Sequence, residues 1–309
     1  MSVTFHGGRL PAHPEADAPR LKLAPFLRGM AAPPAQVDWY SHVSGWPMYL
    51  NDQIGDCTEA MVGHLIEAAS TYGQDATALI GDHDVLAAYE RVSGYNPADP
   101  STDQGAVLQD VYGDWRKTGV GGHKTLVFAQ VEHQNLLEVR QAVQHFGAVG
   151  LGIVVTQAMM DDFNAGRPWR NSTGPVLGGH AVPVVGYDAD SLYVVTWGKI
   201  QAMAWGVYTE VTDEAWVAVL PEWFDAAGHD PEGIDLHGLG EAFHELTGEA
   251  NPFPGPGPAP VPPQPPGPPV VTADEALAAV AHQWVTHHHT GTNRRMADAL
   301  KAWLAAKGR

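Results

Sequence analysis

Asn51-Asp52-Gln53-Ile54-Gly55-Asp56-Cys57-Thr58 holds the only cysteine of the chain and runs directly into a helical pattern. Gly55 and Asp56 carry turn and N-cap signals. After Cys57 the apolar positions fall at Ala60, Met61, Leu65 and Ala68, with His64 beside them, which is the period of an amphipathic helix. A cysteine in the first turn of a helix meets unpaired backbone N–H groups and the positive end of the macrodipole. Both favour a thiolate. Taken alone, a single cysteine is more often an inert core residue.

The second stretch, Gly178-Gly179-His180-Ala181-Val182-Pro183-Val184-Val185-Gly186-Tyr187, lies 123 residues after Cys57. His180 stands at the head of an apolar, β-branched run that reads as a buried strand. A cysteine at a helix start and a histidine on a strand, far apart in sequence, form the pair that a thiolate–imidazolium nucleophile needs.

These residues resemble the papain-like cysteine peptidases. The histidine block of that family reads G-H-A-V-x-x-V-G-Y, nearly as here. Its cysteine block starts with a glutamine six residues before the nucleophile, where this chain has Asn51. Ser101–Gly105 followed by the run to Val120 resembles the family's acidic–Gly and helix segment. Residues 134–145, then Gly147–Val154, then Phe163–Gly166, resemble its helix, G-P-V-x-V and F-x-x-G segment. The resemblance covers roughly 40–245. It implies an α+β fold of two lobes, one helical and one antiparallel β, with the site in the cleft between them.

The resemblance also assigns roles. Cys57 is the nucleophile and His180 the base, and Asn51 supplies the side-chain donor of the oxyanion hole, with Gln53 as a rival. The family's histidine-orienting asparagine lies sixteen residues after the histidine. That position is Thr196, in Val195-Thr196-Trp197-Gly198, with one residue missing before the tryptophan. A threonine hydroxyl can still accept from an imidazole. Asp188 and Asp190 are alternative partners, ranked lower because their turn belongs at the far end of the strand. His64 is read as a packed core residue, not a second base.

The implied function is hydrolysis of peptide or isopeptide bonds. The alternatives are a catalytically inactive papain fold with a structural or assembly role, and a peptidoglycan peptide hydrolase. The cysteine block most resembles proteins of actinobacterial phages and prophages. No cofactor or metal is required. Clustered Asn96, Asp99 and Asp103 lack EF-hand spacing and read as a solvated loop.

A net charge of −18, from 35 acids against 17 bases, argues against nucleic acid or anionic membranes as partners. A protein or peptide substrate is expected instead. One cysteine excludes internal disulfides. The N-terminus lacks a signal-peptide layout and no apolar run is long enough to span a membrane, so cytoplasmic synthesis is expected, with a virion or lysis system as the route out.

The expected organisation has four parts. Residues 1–37, rich in Pro, Gly and Ala, form an extended arm lying over the domain. In the family a pro-region occludes the cleft, but this segment is short for that and lacks a long helix. Residues 38–250 form the domain, with helices through Trp115 and strands from about residue 125, including a β-rich run at 204–211. Residues 251–270 form a linker, with eleven prolines in 251–269, reaching up to roughly 60 Å as polyproline II. Residues 271–309 read as a helical hairpin with stripes of Leu277, Val280 and Trp284, then Met296, Leu300, Trp303 and Leu304. Thirty-nine residues bury little surface alone, so this tail is expected to dock onto a partner, oligomerise or anchor the chain. His282 and His287–His289 lack a defined ligand geometry.

Overall fold

The computed structural model describes residues 3–223, 235–253 and 294–306. The chain divides into two units, Met1–Pro254 and Gly255–Arg309. The first opens with two short strands, β1 (Arg9–Leu10) and β2 (Val37–Asp38). Three helices follow, α1 (Cys57–Gln74), α2 (Asp82–Ser93) and α3 (Leu108–Lys117), the last entered through strand β3 (Ala106–Val107). The remainder runs β4 (Val127–Val131), α4 (Leu136–Phe146), β5 (Val149–Thr156), α5 (Gln157–Asn164) and β6 (Val176–Tyr187). It continues with β7 (Ser191–Thr196), β8 (Lys199–Ala204), α6 (Trp205–Val211), β9 (Thr212–Val219) and α7 (Leu236–Thr247).

The main sheet has the order β4-β9-β5-β6-β7-β8 with antiparallel pairing, and β2 adds to the C-terminal end of β6. Strand alternation divides the apolar side chains between two cores. Ala181, Val195, Trp216 and Ala218 pack with Met61 and Leu65 of α1 and Tyr112 and Trp115 of α3. Val182, Val194, Ala215 and Val217 turn the other way, onto Val139 and Val143 of α4 and Tyr208 of α6. This is the two-lobed α+β arrangement, and β6, twelve residues long, serves both lobes.

Helix α1 is more deeply set than its amphipathic pattern indicates. Every residue from Cys57 to Ser70 is buried, including Glu59, His64 and Glu67. The run at 204–211 corrects the sequence reading. Its β-branched and aromatic residues suggest a strand, yet Trp205–Val211 is helical, with Val207, Tyr208 and Val211 buried on one side and Gly206, Thr209 and Glu210 exposed. A seven-residue run carries too little periodicity to separate the two states, and here packing against the sheet decides.

The second unit contributes helix α8 (Arg294–Ala306), in which Leu300 and Trp303 pack with buried Leu304, three positions of the expected stripe. The expected first tail helix, the histidines near it and most of the Pro-rich linker lie outside the described residues. Among the described residues no helix is long and apolar enough to cross a membrane.

Two glycines give opposite expectations. A Cβ on Gly150 would lie 2.3 Å from Tyr112 Oη and 2.7 Å from Met61 Sδ, at the α1–sheet contact. Gly150→Ala is expected to cost about 1–3 kcal/mol in urea unfolding. Gly206 has open space around its Cβ direction and lies in α6. Gly206→Ala should therefore stabilise by about 0.4–1 kcal/mol.

Candidate active site

The loop before α1 is held from several sides. Tyr49 and Leu50 adopt left-handed backbone (φ 54° and 68°), and the N–H groups of Gln53 and Ile54 return to Leu50 O. The Asp103 carboxylate accepts from the Gly55 N–H at 3.0 Å and from the Tyr89 hydroxyl. The loop thus presents Cys57 as the first residue of α1, although Asp56 does not cap with its side chain. Asp56 is fully buried and accepts a long hydrogen bond, 3.4 Å, from Asn51 Nδ2.

His180 comes from β6, opposite Ile153 on β5. Its ring stacks on Trp197 at 4.6 Å and 10°. Nε2 lies 2.8 Å from Thr196 Oγ1, while Nδ1 is buried without a hydrogen-bond partner. If Nε2–H donates to Thr196, Nδ1 keeps the lone pair that can accept a thiol proton. Thr196 ends β7 and pairs with Lys199, so only Trp197 and Gly198 make the turn, at φ 43° and 72°. That two-residue hairpin accounts for the short spacing, and it uses the tryptophan itself as a turn residue.

Cys57, His180, Thr196 and Asn51 converge on one void of about 10 Å³, also lined by Met48, Met61, His64 and Trp197. That is room for about one water. The other residues considered lie elsewhere or act otherwise. Gln53 is exposed, with its amide on Asp52. Asp188 closes the β6–β7 turn, accepting from Tyr193 and the Ser191 N–H, and Asp190 is exposed in that turn. His64 lines the void but bonds Pro47 O at 2.8 Å.

The amino-terminal arm carries the residues that sequence reasoning missed. Phe5 makes edge contacts with His180 and Trp197, at 6.1 and 6.3 Å. Gly8 O accepts from the Ala106 N–H at 2.7 Å, and β1 pairs in parallel with β3. A Cβ on Gly8 would lie 1.6 Å from Gly55 O, and one on Gly179 would lie 2.2 Å from Arg9 O. Residues 5–9 therefore lie between the Gly55/Gly105 wall and the Gly178/Gly179 wall, doing more than covering the surface. Cys57 and His180 are each left 1% exposed. The glycine pair Gly7-Gly8 was the available signal, but a glycine pair also fits any turn.

Burial sets the charges. It pushes the Cys57 thiol up to about 12, aided by Asp56 and Glu59 and opposed by the Ala181 and Gly8 backbone N–H groups. Burial lowers His180 to about 3, with the Arg9 charge adding to it. With the arm in place, both groups are neutral. Glu59 and Glu67 are pushed up by burial to about 8 and about 7, and His64 down to about 4.

These shifts shape the pH profile of stability, and burial, which also raises Asp56 well above its ordinary value, makes it act in the same sense as the glutamates. The histidines, depressed below 6.5, stabilise the fold above that value and lose this as pH falls toward 3–4. The two glutamates, raised above 4.5, stabilise it at low pH and lose this as pH rises toward 7–8. Greatest stability is expected between these limits, near pH 4.5–6.5. Denaturant unfolding should show a loss on the order of 2 kcal/mol from pH 6.5 to 8.5. Glu59→Gln should flatten most of that decline.

No protein-family model matches the chain, and no curated protein matches it in sequence. Solved structures do. The chain is similar to xylellain, a cysteine protease from Xylella fastidiosa, with a TM-score of 0.54 and 15% identity over 71% of this chain and 97% of that one. It is also similar to procathepsin B S9 from Trypanosoma congolense, with a TM-score of 0.50 and 13% identity over 70% of this chain and 86% of that one. The fold is papain-like.

Proposed function

We propose that this chain is a cysteine peptidase acting on peptide or isopeptide bonds of a protein or peptide, kept latent by its own amino-terminal arm. The observation that supports this reading is the meeting of Cys57 and His180 at one void, with His180 Nε2 held by Thr196 at 2.8 Å. With the arm displaced, His180 Nδ1 takes the thiol proton and the Cys57 thiolate attacks the carbonyl carbon. Asn51 Nδ2, released from its long bond to Asp56, and the Cys57 backbone N–H hold the oxyanion. His180 then gives its proton to the leaving amine, and water, with His180 as base, hydrolyses the thioester. Thr196 is a positioning residue, because it acts through the ring.

One observation favours a second reading, an inert papain fold with an assembly role. The thiol is sealed and neutral, with Asp56 and Glu59 beside it. Alkylation of Cys57, the only thiol, separates the two. The turn at Glu15–Asp17 is exposed, so a protease site inserted there allows the arm to be nicked in folded protein. The intact chain should react with iodoacetamide at pH 7 roughly 10²-fold more slowly than free cysteine. After nicking and removal of the arm, fast labelling should persist below pH 7 and be abolished by His180→Ala. If labelling stays slow in the nicked protein and climbs only above pH 8.5, the inert reading is correct.

Thr196→Ala is expected to lower kcat by roughly 10²-fold with little change in KM, and Thr196→Asn to recover part of the loss. Steady-state kinetics on the nicked enzyme checks both.

A further inference from the structure

A half-enclosed cavity of about 190 Å³ lies between residues 19–21 of the arm and α7, and it shares no lining residue with the void at Cys57. Its floor is apolar, made by Leu21, by Phe128 of β4 and by Phe243 and Leu246 of α7. Phe243 is buried, while Leu246 is 43% exposed at the rim. A wider groove of about 510 Å³ shares Arg20, Leu21 and Leu246 with the cavity and runs on past Phe26, so the cavity has an open mouth.

Arg20 stands where cavity and groove meet. Its guanidinium donates from Nε to Gln109 Oε1 at 3.4 Å and from Nη2 to His13 O, both neutral acceptors. Among the described residues no carboxylate forms an ion pair with it. Glu15, an acid that feels its charge, is paired with Lys22 at 3.0 Å. The other polar groups of the lining are already spent. Gln109 Nε2 donates to Pro19 O at 3.2 Å, and Thr247 Oγ1 donates to Phe243 O at 2.8 Å and accepts from the Glu249 N–H at 3.2 Å. One unmatched cation above apolar walls suits a ligand with a single anionic head and an apolar body. A peptide in its place would bury amide groups that find no partner. The fork of an arginine matches a carboxylate head.

We infer that this cavity binds a medium-chain carboxylate, its head on Arg20 and its chain on Leu21, Phe128 and Phe243. Room for several waters is room for a chain of about eight carbons. Glu245 lines the outer groove only, so the head is held at Arg20 and not further out. One wall of the cavity belongs to the arm and the rest to the domain, which gives the site a consequence. Residues 21–23 lie along β4, with the Gln130 N–H on Leu21 O at 2.7 Å and the Leu23 N–H on Gln130 O at 2.9 Å. A ligand that touches both walls binds only while this stretch is docked. By mass action it holds the arm in place, and at ten times its Kd undocking becomes about tenfold rarer. The inference goes beyond the peptidase reading and holds for an inert fold as well.

The test uses the full-length chain and octanoate, with octylammonium and octanol as controls for the charge and for the chain. Octanoate alone should raise Tm by a few degrees. At ten times its Kd it should slow hydrogen exchange of the Leu23 and Gln130 N–H groups by about tenfold. Two variants locate the site in calorimetric titrations. Arg20→Gln should lose roughly tenfold in octanoate affinity. Leu246→Trp, which fills the cavity from an exposed position, should abolish binding, and it keeps the site testable if Arg20→Gln does not fold. Absence of octanoate binding, an equal response to octanol, or binding unchanged in Leu246→Trp would overturn the inference. Binding that leaves exchange at Leu23 unchanged would also overturn it, because the arm would then form no wall of the site.

Discussion

A thiol and an imidazole sealed together away from water hold no charge, and the arrangement of this site follows from that constraint. Cys57 enters on a helix buried on all sides and His180 on the strand shared by both lobes, so neither can reach solvent by moving alone. The remaining route is the groove between them, and residues 5–9 of the chain fill it. The arm thereby sets the electrical state of the pair as well as its access.

Backbone contact makes that filling possible. Gly8 meets Gly55 and Gly105 on one wall, while Gly179 meets Arg9 on the other, at separations no Cβ could share. Gly105 also has a left-handed backbone (φ 81°), which favours glycine independently of the close approach. These walls hold the arm at its backbone, and few of its side chains reach beyond the groove. Phe5 covers the histidine and Arg9 descends to the paired acids.

How much of this was legible in the sequence depended on how local each signal was. The helix after Gly55 and the strand through His180 are local patterns, and the resemblance to the family points to Thr196 by its spacing from the histidine. The geometry adds how the threonine reaches the ring: the turn at Trp197-Gly198 is shortened, which brings Thr196 Oγ1 to 2.8 Å from His180 Nε2. An arm over the domain was legible, but its insertion into the groove was not, since its partners there are glycines dispersed over the chain and its own residues have no period. The convergence of Asp213 and Glu214 on Arg9 was hidden for a related reason: alternation predicts opposite faces, and only the register shift between Gly152 and Ile153 overrides it. The helix at Trp205–Val211 was misread because seven residues rich in β-branched and aromatic side chains fit either state until packing decides between them.

The energetics of Cys57 show which lever matters. Raising the thiol from 9.0 to about 12 disfavours the thiolate by on the order of 4 kcal/mol. A helix N-terminus offers about 0.3–1 kcal/mol, up to ~2 when partly buried. Position on α1 therefore cannot activate the thiol while it is sealed; desolvation dominates. The neighbouring Glu59 opposes the thiolate less than its formal charge implies, because its own rise to about 8 leaves it largely protonated at neutral pH. Departure of the arm acts on both partners in the same sense. It returns water to the sulfur, which lowers the thiol, and it removes the Arg9 charge, which lets the imidazole bind a proton more readily. The loss of the Gly8 N–H works against this, but the Ala181 N–H remains and ranks ahead of it among the groups that favour the thiolate. In the proposed peptidase, one displacement would open the groove and move the pair toward the charged state.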